Sequence, residues 1–314
     1  MSQLDKEYYT TGEAAKIIGV SFRTIKRWIY AGRIRTLKTA GGHYRIPRDE
    51  IKRLLSETED QFAAKIIDLI SKKKVAYLRE LQVCLEDEYP HKDTHDKLKV
   101  LVGRKKIKTS LVDGHRWYFP PDLEWDDVKE IAEQKAEYAK LLKNYERSFN
   151  YKGLKYEDYA EYLVEQALIR AGFTVVAKDT YYFNGLVYMP NRGPGRPRDL
   201  DFIAKLPDKD IFVGIEVKNR MEPPKGAVVN EFIEICRTLN LKPLLISRMA
   251  HPMTFDVLKR LGGWVVVFKQ QFLKPGFPRD ALNFLRQIGI PVAVYRWPPD
   301  YLVNKLIKAA QNIN

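Results

Sequence analysis

Residues 200–218 read LDFIAKLPDKDIFVGIEVK, two apolar runs separated by a polar turn. Runs of this composition are typical of paired strands, and with residues 207–210 as the hairpin loop, Asp201 lies directly opposite Glu216. Two carboxylates at a Cβ separation of about 5 Å repel each other, so stability alone does not account for them. A divalent cation between them would turn this repulsion into a net attraction. Carboxylate oxygens beside a strand carbonyl are suitable ligands for Mg²⁺ or Mn²⁺.

The second run carries two charged residues in an otherwise buried pattern. Glu216 and Lys218 are two residues apart and therefore project from one face of the strand, while Ile215 and Val217 face the core. The exposed face of an edge strand would explain this pair equally well. A register shift of one residue would also place the two acids on opposite faces of the sheet.

The surrounding sequence alternates between helical and strand patterns, and its last two strands are solidly apolar, as in a sheet covered on both faces. The predicted helices are 156–171, 228–239 and 254–261, and the predicted strands are 173–177, 200–206, 211–218, 243–247 and 264–268. This order predicts an α/β domain with a mixed central sheet.

This arrangement resembles the PD-(D/E)XK nuclease superfamily, with Asp201 followed by Glu216-Val217-Lys218. The stretch AEYLVEQALIRAGF is similar to the corresponding part of archaeal Holliday-junction resolvases and aligns the family glutamate with Glu161. The resemblance covers roughly residues 155–270 and implies a restriction-endonuclease-like fold. The family proline is absent before Asp201, where Asp199, on the same face, would be a substitute or an additional ligand.

The resemblance also implies roles for these residues. Asp201 and Glu216 would bind Mg²⁺ or Mn²⁺, and Glu161 would bind it directly or through water. Lys218 would orient and polarise the attacking water or offset phosphate charge. The implied reaction is hydrolysis of a phosphodiester bond by in-line attack, with the metal and lysine stabilising the pentavalent phosphate.

An insertion ending in NRGPGRPR precedes Asp201. Its arginines Arg192, Arg196 and Arg198 cannot fold around a core, and we expect them to clamp the phosphate backbone of a nucleic acid. A solvated loop is the equally weighted alternative.

The N-terminal sequence predicts a helix over residues 11–18, a turn at Gly19 and a second helix capped by Ser21. Strands at 34–37 and 43–46, joined across a Gly41-Gly42 turn, would form a wing. The helix spacing is that of a helix-turn-helix, whose second helix meets base edges and phosphates in the major groove. The predicted DNA contacts are Arg23, Thr24, Lys26 and Arg27 on that helix and Lys38, His43 and Arg45 on the wing.

The string TTGEAAKIIGVSFRTIKRWIYAGRIRTLKTAGGHYRIPRDEI resembles the winged helix-turn-helix of MerR-type regulators, excisionases and the recombinases of one insertion-sequence family. The resemblance spans about 48 residues and implies duplex DNA as the ligand. The alternative is that these arginines form a solvated helix face.

Residues 57–120 predict helices at 62–70, 75–85 and 94–102 and a hairpin at 108–111 and 116–119 around Asp113-Gly114, a second winged-helix-like domain. Its Lys97, Lys99, Lys105 and Arg116 would touch a second stretch of DNA backbone, or the domain would serve only for packing; the two alternatives are equally weighted.

Residues 121–149 predict one long helix with an apolar stripe that Lys135 interrupts. The stripe comprises Val128, Ile131, Tyr138, Leu142, Tyr145 and Phe149. It would serve for dimerisation or, slightly favoured because it is short for a coiled coil, for packing against the chain's own domains.

Charge supports a polyanionic partner, since 54 Lys and Arg against 40 Asp and Glu give a net charge of +14. The excess is concentrated in residues 1–56 and 151–314. The two cysteines stand far apart, which excludes a zinc motif and favours a reducing, cytoplasmic and nucleoid-associated location. Neither a signal peptide nor a membrane span is expected.

The combined prediction is a multidomain α/β protein: a winged helix-turn-helix at 1–56, a second winged helix at 57–120, a linker helix at 121–150 and a nuclease-like domain at 151–314. It would be a metal-dependent DNA endonuclease acting as a homodimer, since cutting both strands needs two copies. The alternatives are a non-catalytic regulator or accessory factor with a nuclease-like scaffold, and a structure-specific nuclease for junctions or flaps.

Overall fold

The computed structural model describes residues 5–18, 22–39, 41–112, 114–148, 156–189 and 198–314. By contacts, the chain divides into two compact units. The first comprises Met1–Tyr77 and His95–Val128, and the second comprises Leu78–Thr94 and Lys129–Asn314. Within the described ranges, no helix combines the length and the hydropathy that a membrane span requires.

The N-terminal part of the first unit is a small helical domain with a three-stranded antiparallel sheet of order β1-β3-β2. Its elements are β1 (Tyr8–Thr10), α1 (Thr11–Ile18), α2 (Phe22–Tyr30), β2 (Leu37–Lys38), β3 (Tyr44–Pro47) and α3 (Arg48–Lys73). The two predicted helices are confirmed. The first strand of the wing begins later than predicted, because Ile34 is buried in the domain core before the chain turns outward.

Apolar side chains from all of these helices form one core. Ala14, Ala15 and Ile18 of α1 pack with Ile25 and Ile29 of α2. The core also includes Tyr9 of β1, Ile34 and Ile46, together with Ile51 and Leu54 of α3. Burial of these residues fixes the angle between the two short helices, which are too short to be stable alone.

The wing turn is closed by backbone hydrogen bonds. Gly42 has a φ of 78° and donates its N–H to Thr39 O over 2.8 Å. Thr39 in turn donates its N–H to His43 O over 2.9 Å. A positive φ is what glycine tolerates without strain, so the predicted tight turn is confirmed here.

Residues 76–119 contain β4 (Ala76–Tyr77), α4 (Leu78–Leu85), α5 (His91–Gly103), β5 (Lys108–Val112) and β6 (His115–Phe119). The strands form an antiparallel sheet of order β4-β6-β5. The predicted hairpin is confirmed and is one residue longer on each side, with Gly114 at a φ of 75°. The predicted helix at 62–70 is the C-terminal part of α3, and the first residues of the one predicted at 75–85 are a strand.

A long helix, α6 (Trp125–Ser148), then leads into the rest of the second unit. The elements there are α7 (Tyr156–Arg170), β7 (Thr174–Thr180), β8 (Tyr182–Phe183), β9 (Leu186–Val187), β10 (Leu200–Lys205), β11 (Phe212–Lys218), α8 (Gly226–Thr238), β12 (Lys242–Ser247), α9 (Pro252–Arg260), β13 (Trp264–Val267), β14 (Gln271–Leu273), α10 (Arg279–Gln287), β15 (Val292–Val294) and α11 (Asp300–Asn312).

A five-stranded mixed sheet of order β13-β12-β11-β10-β7 forms the centre of the second unit. The strand β10 runs antiparallel to both of its neighbours, β7 and β11, whereas β11, β12 and β13 are parallel to one another. Apolar residues of α7 and α11 pack on one face, and those of α8 and α9 pack on the other. The predicted mixed sheet with helices on both faces is confirmed.

Two residues of the apolar stripe of α6 pack within the second unit. Tyr138 stacks on Phe284 at 4.4 Å between ring centroids, and Tyr145 meets Phe277 edge-on at 4.8 Å. Lys135 is buried and donates to both carboxylate oxygens of Glu80 over 2.9 and 3.2 Å. The alternative of packing against the chain's own residues is therefore confirmed for these positions. Phe149 lies outside the described residues.

Candidate active site and nucleic-acid interface

The hairpin β10–β11 has the predicted register. Phe202 pairs with Ile215 and Lys205 with Phe212, so the continuation of the ladder places Asp201 opposite Glu216. The strand β11 lies between β10 and β12, in the interior of the sheet. The edge-strand explanation for Glu216 is therefore wrong, and a carboxylate occupies a buried central strand, where charge is costly.

Asp201 is held by the backbone of the neighbouring strand. The Val217 N–H donates to Asp201 Oδ2 over 2.5 Å. Burial raises the pKa of Asp201 well above its usual value, the charge of Glu216 raises it further, and Lys218 opposes both effects. The charge of Glu161 adds a smaller increase. Asp201 thus lies where a negative charge is destabilising unless a positive charge is present.

Glu216 is the most enclosed of the predicted acids, with only 2% of its side chain exposed. Its Oε1 is paired with Arg198 and, at 2.5 Å, with Lys218 Nζ. Its Oε2 is buried and has no hydrogen-bond partner among the described residues. Buried carboxylate oxygens are rarely left in this state unless another ligand completes the site.

Lys218 lies at the end of β11, and its ammonium group bridges two oxygens. Besides the pair with Glu216, its Nζ donates to the Val217 carbonyl oxygen over 3.0 Å. About a quarter of its side chain is exposed. The lysine is therefore reachable from solvent beside an almost fully enclosed carboxylate.

Glu161 lies half-buried on α7 and contributes to the electrostatic environment of Asp201. In the described part of the chain, however, no group of three or more His, Cys, Asp or Glu residues is gathered closely enough to hold a metal ion. The structure therefore brings Asp201 and Glu216 together, with Glu161 near them but not as the third member of a compact ligand cluster.

These residues fit a divalent cation in two respects. Glu216 Oε2 is an orphaned oxygen acceptor within the described part of the chain, and Asp201 carries a raised pKa beside a second acid. Hard cations such as Mg²⁺ bind through one or two carboxylates and keep several waters, so a two-acid site is sufficient.

Arg198 has a different environment from the one predicted. Its guanidinium pairs with Glu216 and, at 3.5 Å, with Glu231 of α8. Glu231 was not among the predicted site residues, because an acid on an amphipathic helix gives no signal distinct from a solvated face. Arg192 and Arg196 lie outside the described residues.

The segment after β11 is fixed by buried polar contacts that the sequence did not indicate. Asn219 donates its side-chain amide to Phe272 O and accepts from Phe272 N, both over 2.8 Å. The fully buried Arg248 binds Glu86 through two contacts of 2.7 and 2.9 Å and donates to the Arg220 and Met221 carbonyls. These bonds hold the backbone next to Lys218 in one conformation.

The predicted DNA contacts of the N-terminal domain are only partly described. The side chains of Arg23, Thr24 and Arg27 lie outside the described residues. Lys26 is exposed, with its ammonium 4.9 Å from the centroid of the Phe22 ring. Phe22 is itself exposed and is the first residue of α2.

On the wing, Lys38 and His43 are exposed and Arg45 is half-buried. The Lys38 ammonium lies 5.7 Å from the centroid of the Tyr44 ring, and Arg45 Nη1 donates to Tyr44 O over 3.2 Å. Lys26, Lys38 and His43 are thus accessible to a polyanion. Their role as DNA contacts stays a prediction.

A buried carboxylate, Glu50 in the first turn of α3, fixes the connection between α2 and the wing. It accepts from the Arg35 N–H over 3.1 Å and Arg35 Nε over 2.9 Å, and pairs with Arg53 at 2.5 Å. The pKa of Glu50 is lowered to about 2, chiefly by the hydrogen bond from Arg53 and also by the bonds from Arg35, although burial opposes these effects. Arg53 also donates to Arg33 O over 2.9 Å.

The four residues of the middle segment that were predicted to contact the DNA backbone lie in different environments. Lys105 and Arg116 are exposed, Lys99 pairs with Asp96 at 3.7 Å, and the Lys97 ammonium lies 5.8 Å from the Phe62 ring centroid. None of these contacts favours DNA binding over packing, so both alternatives remain.

Comparison with known proteins bears on the N-terminal domain. Residues 8–59 match a family model described as a helix-turn-helix domain. No curated protein and no solved structure matches the chain. The predicted helix-turn-helix is therefore confirmed, and such a domain indicates that the protein binds DNA.

Proposed function

We propose that this protein is a metal-dependent DNA endonuclease. The observation that carries the proposal is the placement of Asp201 and Glu216 side by side on two adjacent, largely buried strands, with Lys218 following on the same face. Such a cluster is costly for folding and useful for chemistry at a phosphate.

The order of elements supports the same proposal. A helix, α7, precedes three antiparallel strands, β7, β10 and β11, and a further helix, α8, leads to the parallel strand β12. The acids lie on the second and third strands, and Glu161 lies on the preceding helix. This is the order that the PD-(D/E)XK resemblance implies for a restriction-endonuclease-like domain.

Asp201 and Glu216 would hold the cation, Mg²⁺ or Mn²⁺, and Glu161 would reach it through water. The bound cation would supply Lewis-acid stabilisation of charge at the scissile phosphate. The Val217 N–H fixes the orientation of the Asp201 carboxylate, and the buried contacts of Asn219 and Arg248 fix the backbone beyond Lys218. Lys218 Nζ would offset negative charge on the phosphate oxygens or orient the attacking water.

The helix-turn-helix domain would deliver this chemistry to duplex DNA. Its Lys26 and Lys38 are exposed and provide positive charge at the surface of the domain. A homodimer would be needed for simple cleavage of both strands, and its interface would lie elsewhere than at Tyr138 and Tyr145, which pack within the chain.

The test is cleavage of a substrate panel comprising linear duplex, single strand, flap and four-way junction, each with Mg²⁺ and with chelator. We expect Mg²⁺-dependent product that Glu216→Ala abolishes. Asp256→Ala, which removes an exposed acid of α9, serves as the matched control and should cut like the wild type. Preferential cleavage of flaps or junctions would identify the structure-specific nuclease.

A non-catalytic DNA-binding regulator is the second candidate. It is favoured by the observation that Glu216 Oε1 is already paired with Arg198 and Lys218, a closed arrangement that a scaffold could retain. DNA binding without cleavage of any substrate, with Mg²⁺ or Mn²⁺, would support this candidate and overturn the proposed nuclease.

A further inference from the structure

The ion pairs around Glu216 carry a further inference, which rests on the proposed metal site. Arg198 precedes the hairpin and places its guanidinium between two carboxylates, Glu216 of β11 and Glu231 of α8. Lys218 contacts the same Glu216 oxygen. Two cationic groups, Arg198 and Lys218, therefore balance the charge of Glu216.

We propose that Arg198 is an internal competitor of the divalent cation. Its guanidinium neutralises Glu216 when no cation is bound, and the cation displaces it from that carboxylate. Glu231 lies on a different element from Glu216, and its side chain is more exposed, at 39% against 2%. The displaced guanidinium would stay paired with Glu231 and therefore remain close to the site.

One observation and one electrostatic argument favour displacement over a permanent role as a positioning group. First, Arg198 holds only one Glu216 oxygen and leaves Oε2 without a hydrogen-bond partner among the described residues, so the pair does not complete the site. Second, a guanidinium and a divalent cation next to the same carboxylate repel each other. Lys218 stays in place, since it also binds the Val217 carbonyl of its own strand.

The displacement model predicts whether cation affinity rises or falls when Arg198 is replaced. If Arg198 competes with the cation, Arg198→Gln removes the competitor, and Mn²⁺ should bind about tenfold more tightly, the effect expected for one charge-assisted pair. If Arg198 instead holds Glu216 in its binding position, the same substitution should weaken Mn²⁺ binding. The direction of the change therefore separates the two roles.

The experiment measures Mn²⁺ binding to the full-length protein by titration calorimetry and by electron paramagnetic resonance of free Mn²⁺. Thermal unfolding in chelator and at increasing Mn²⁺ gives a second readout, because a ligand that binds the folded state raises its melting temperature. Arg198→Gln should melt lower than the wild type in chelator and gain more from Mn²⁺.

Arg237→Gln is the matched control, since it removes an exposed arginine of α8 and changes the net charge equally. It should bind Mn²⁺ like the wild type. Arg198→Lys keeps the charge with fewer donors and should give an intermediate affinity, which tests the same idea if Arg198→Gln does not fold.

Unchanged or weaker Mn²⁺ binding by Arg198→Gln, with a wild type that binds, would overturn the role of Arg198 and leave the proposed metal site intact. A wild-type protein that binds no Mn²⁺ would overturn both. The two failures are thus distinguished by the wild-type titration alone.

Discussion

The carboxylate of Asp201 should cost the cation-free protein stability. Its pKa is raised chiefly by burial and next by Glu216. A carboxyl group whose pKa is higher in the folded state favours folding at low pH, and this contribution is lost as pH rises from the unfolded value toward the folded one. We therefore expect Asp201→Asn to stabilise the protein in chelator at neutral pH by about 0.5–2 kcal/mol.

Chemical denaturation in chelator measures this gain, and the same variant should lose the stabilisation that Mn²⁺ gives to the wild type. Asp210→Asn is the control, because a hydrogen bond from Lys205 lowers the pKa of that exposed group. It should give no gain. A destabilised Asp201→Asn protein would contradict the expectation that a negative charge at this buried position destabilises the folded protein.

The pKa shift of Glu50 has the opposite sign to that of Asp201, so its negative charge stabilises the folded protein. Its pKa is about 2 in the folded protein, against an ordinary value of 4.5. The stability it provides is therefore complete above pH 4.5 and is lost as pH falls toward about 2. Glu50→Gln should destabilise the N-terminal domain at neutral pH by about 1–3 kcal/mol, because it removes the charge of a buried carboxylate that pairs with Arg35 and Arg53.

Hydrogen exchange over residues 8–55 at pH 7 and pH 3 checks this expectation, since the loss of protection should be smaller at pH 3. Asp49→Asn is the matched variant: it removes an exposed partner of Arg35 in the same helical turn. An exposed pair contributes little, so its protection should resemble that of the wild type.

At the residue scale, the sequence predicted the site residues that lie close together along the chain and missed those that tertiary packing brings in from distant segments. Asp201 and Glu216 were identified because a hairpin fixes their register over a short distance. Glu231 and Arg248 come from distant segments, and nothing local distinguishes them from ordinary surface charges. Arg198 was read as a phosphate contact because its acidic partners lie on other elements.

At the element scale, close contact between β11 and α8 depends on a glycine. A Cβ added to Gly214 would lie 2.7 Å from Cys236 Sγ and 2.9 Å from Leu200 Cδ1, both in the core. We expect Gly214→Ala to destabilise the second unit by about 1–3 kcal/mol, since overpacking forces neighbours apart. Because Gly214 is two residues before Glu216, Mn²⁺ binding should weaken as well.

Gly226→Ala provides the control for that substitution. Gly226 is the first residue of α8, and nothing in the described part of the chain lies within 4 Å of a Cβ added there. Urea denaturation should place this variant level with the wild type or slightly above it. Equal stability of Gly214→Ala and Gly226→Ala would show that the space between Gly214 of β11 and Cys236 of α8 can accommodate a methyl group.

Many of the helices and strands were predictable from the spacing of apolar residues and from the residue types at the turns. The helices of the N-terminal domain, the hairpin at 108–119 and the central sheet follow patterns of apolar residues that are local in sequence. The short strands β1, β4, β8, β9, β14 and β15 were missed, since each consists of only two or three residues. The helices α10 and α11 were not predicted either. The packing of Tyr138 against Phe284 was likewise one of two alternatives that no local pattern could separate.

For the whole molecule, DNA binding and the proposed cleavage should be separable, because the exposed lysines of the helix-turn-helix domain and the acidic pair belong to different units. We expect the double variant Lys26→Ala, Lys38→Ala to bind duplex DNA about tenfold more weakly. It should also lower the dependence of affinity on salt by about two counterions, one for each phosphate that a lysine no longer neutralises.

Fluorescence anisotropy over a range of salt concentrations measures both quantities, with Lys259→Ala, an exposed lysine of α9, as the control. Glu216→Gln should bind DNA like the wild type in chelator, because this buried acid pairs with Arg198 and Lys218 and belongs to a different unit from the helix-turn-helix domain. If Glu216→Gln and the double lysine variant both bound DNA more weakly, the second unit would itself contribute to binding, and recognition could not be assigned to the N-terminal domain alone.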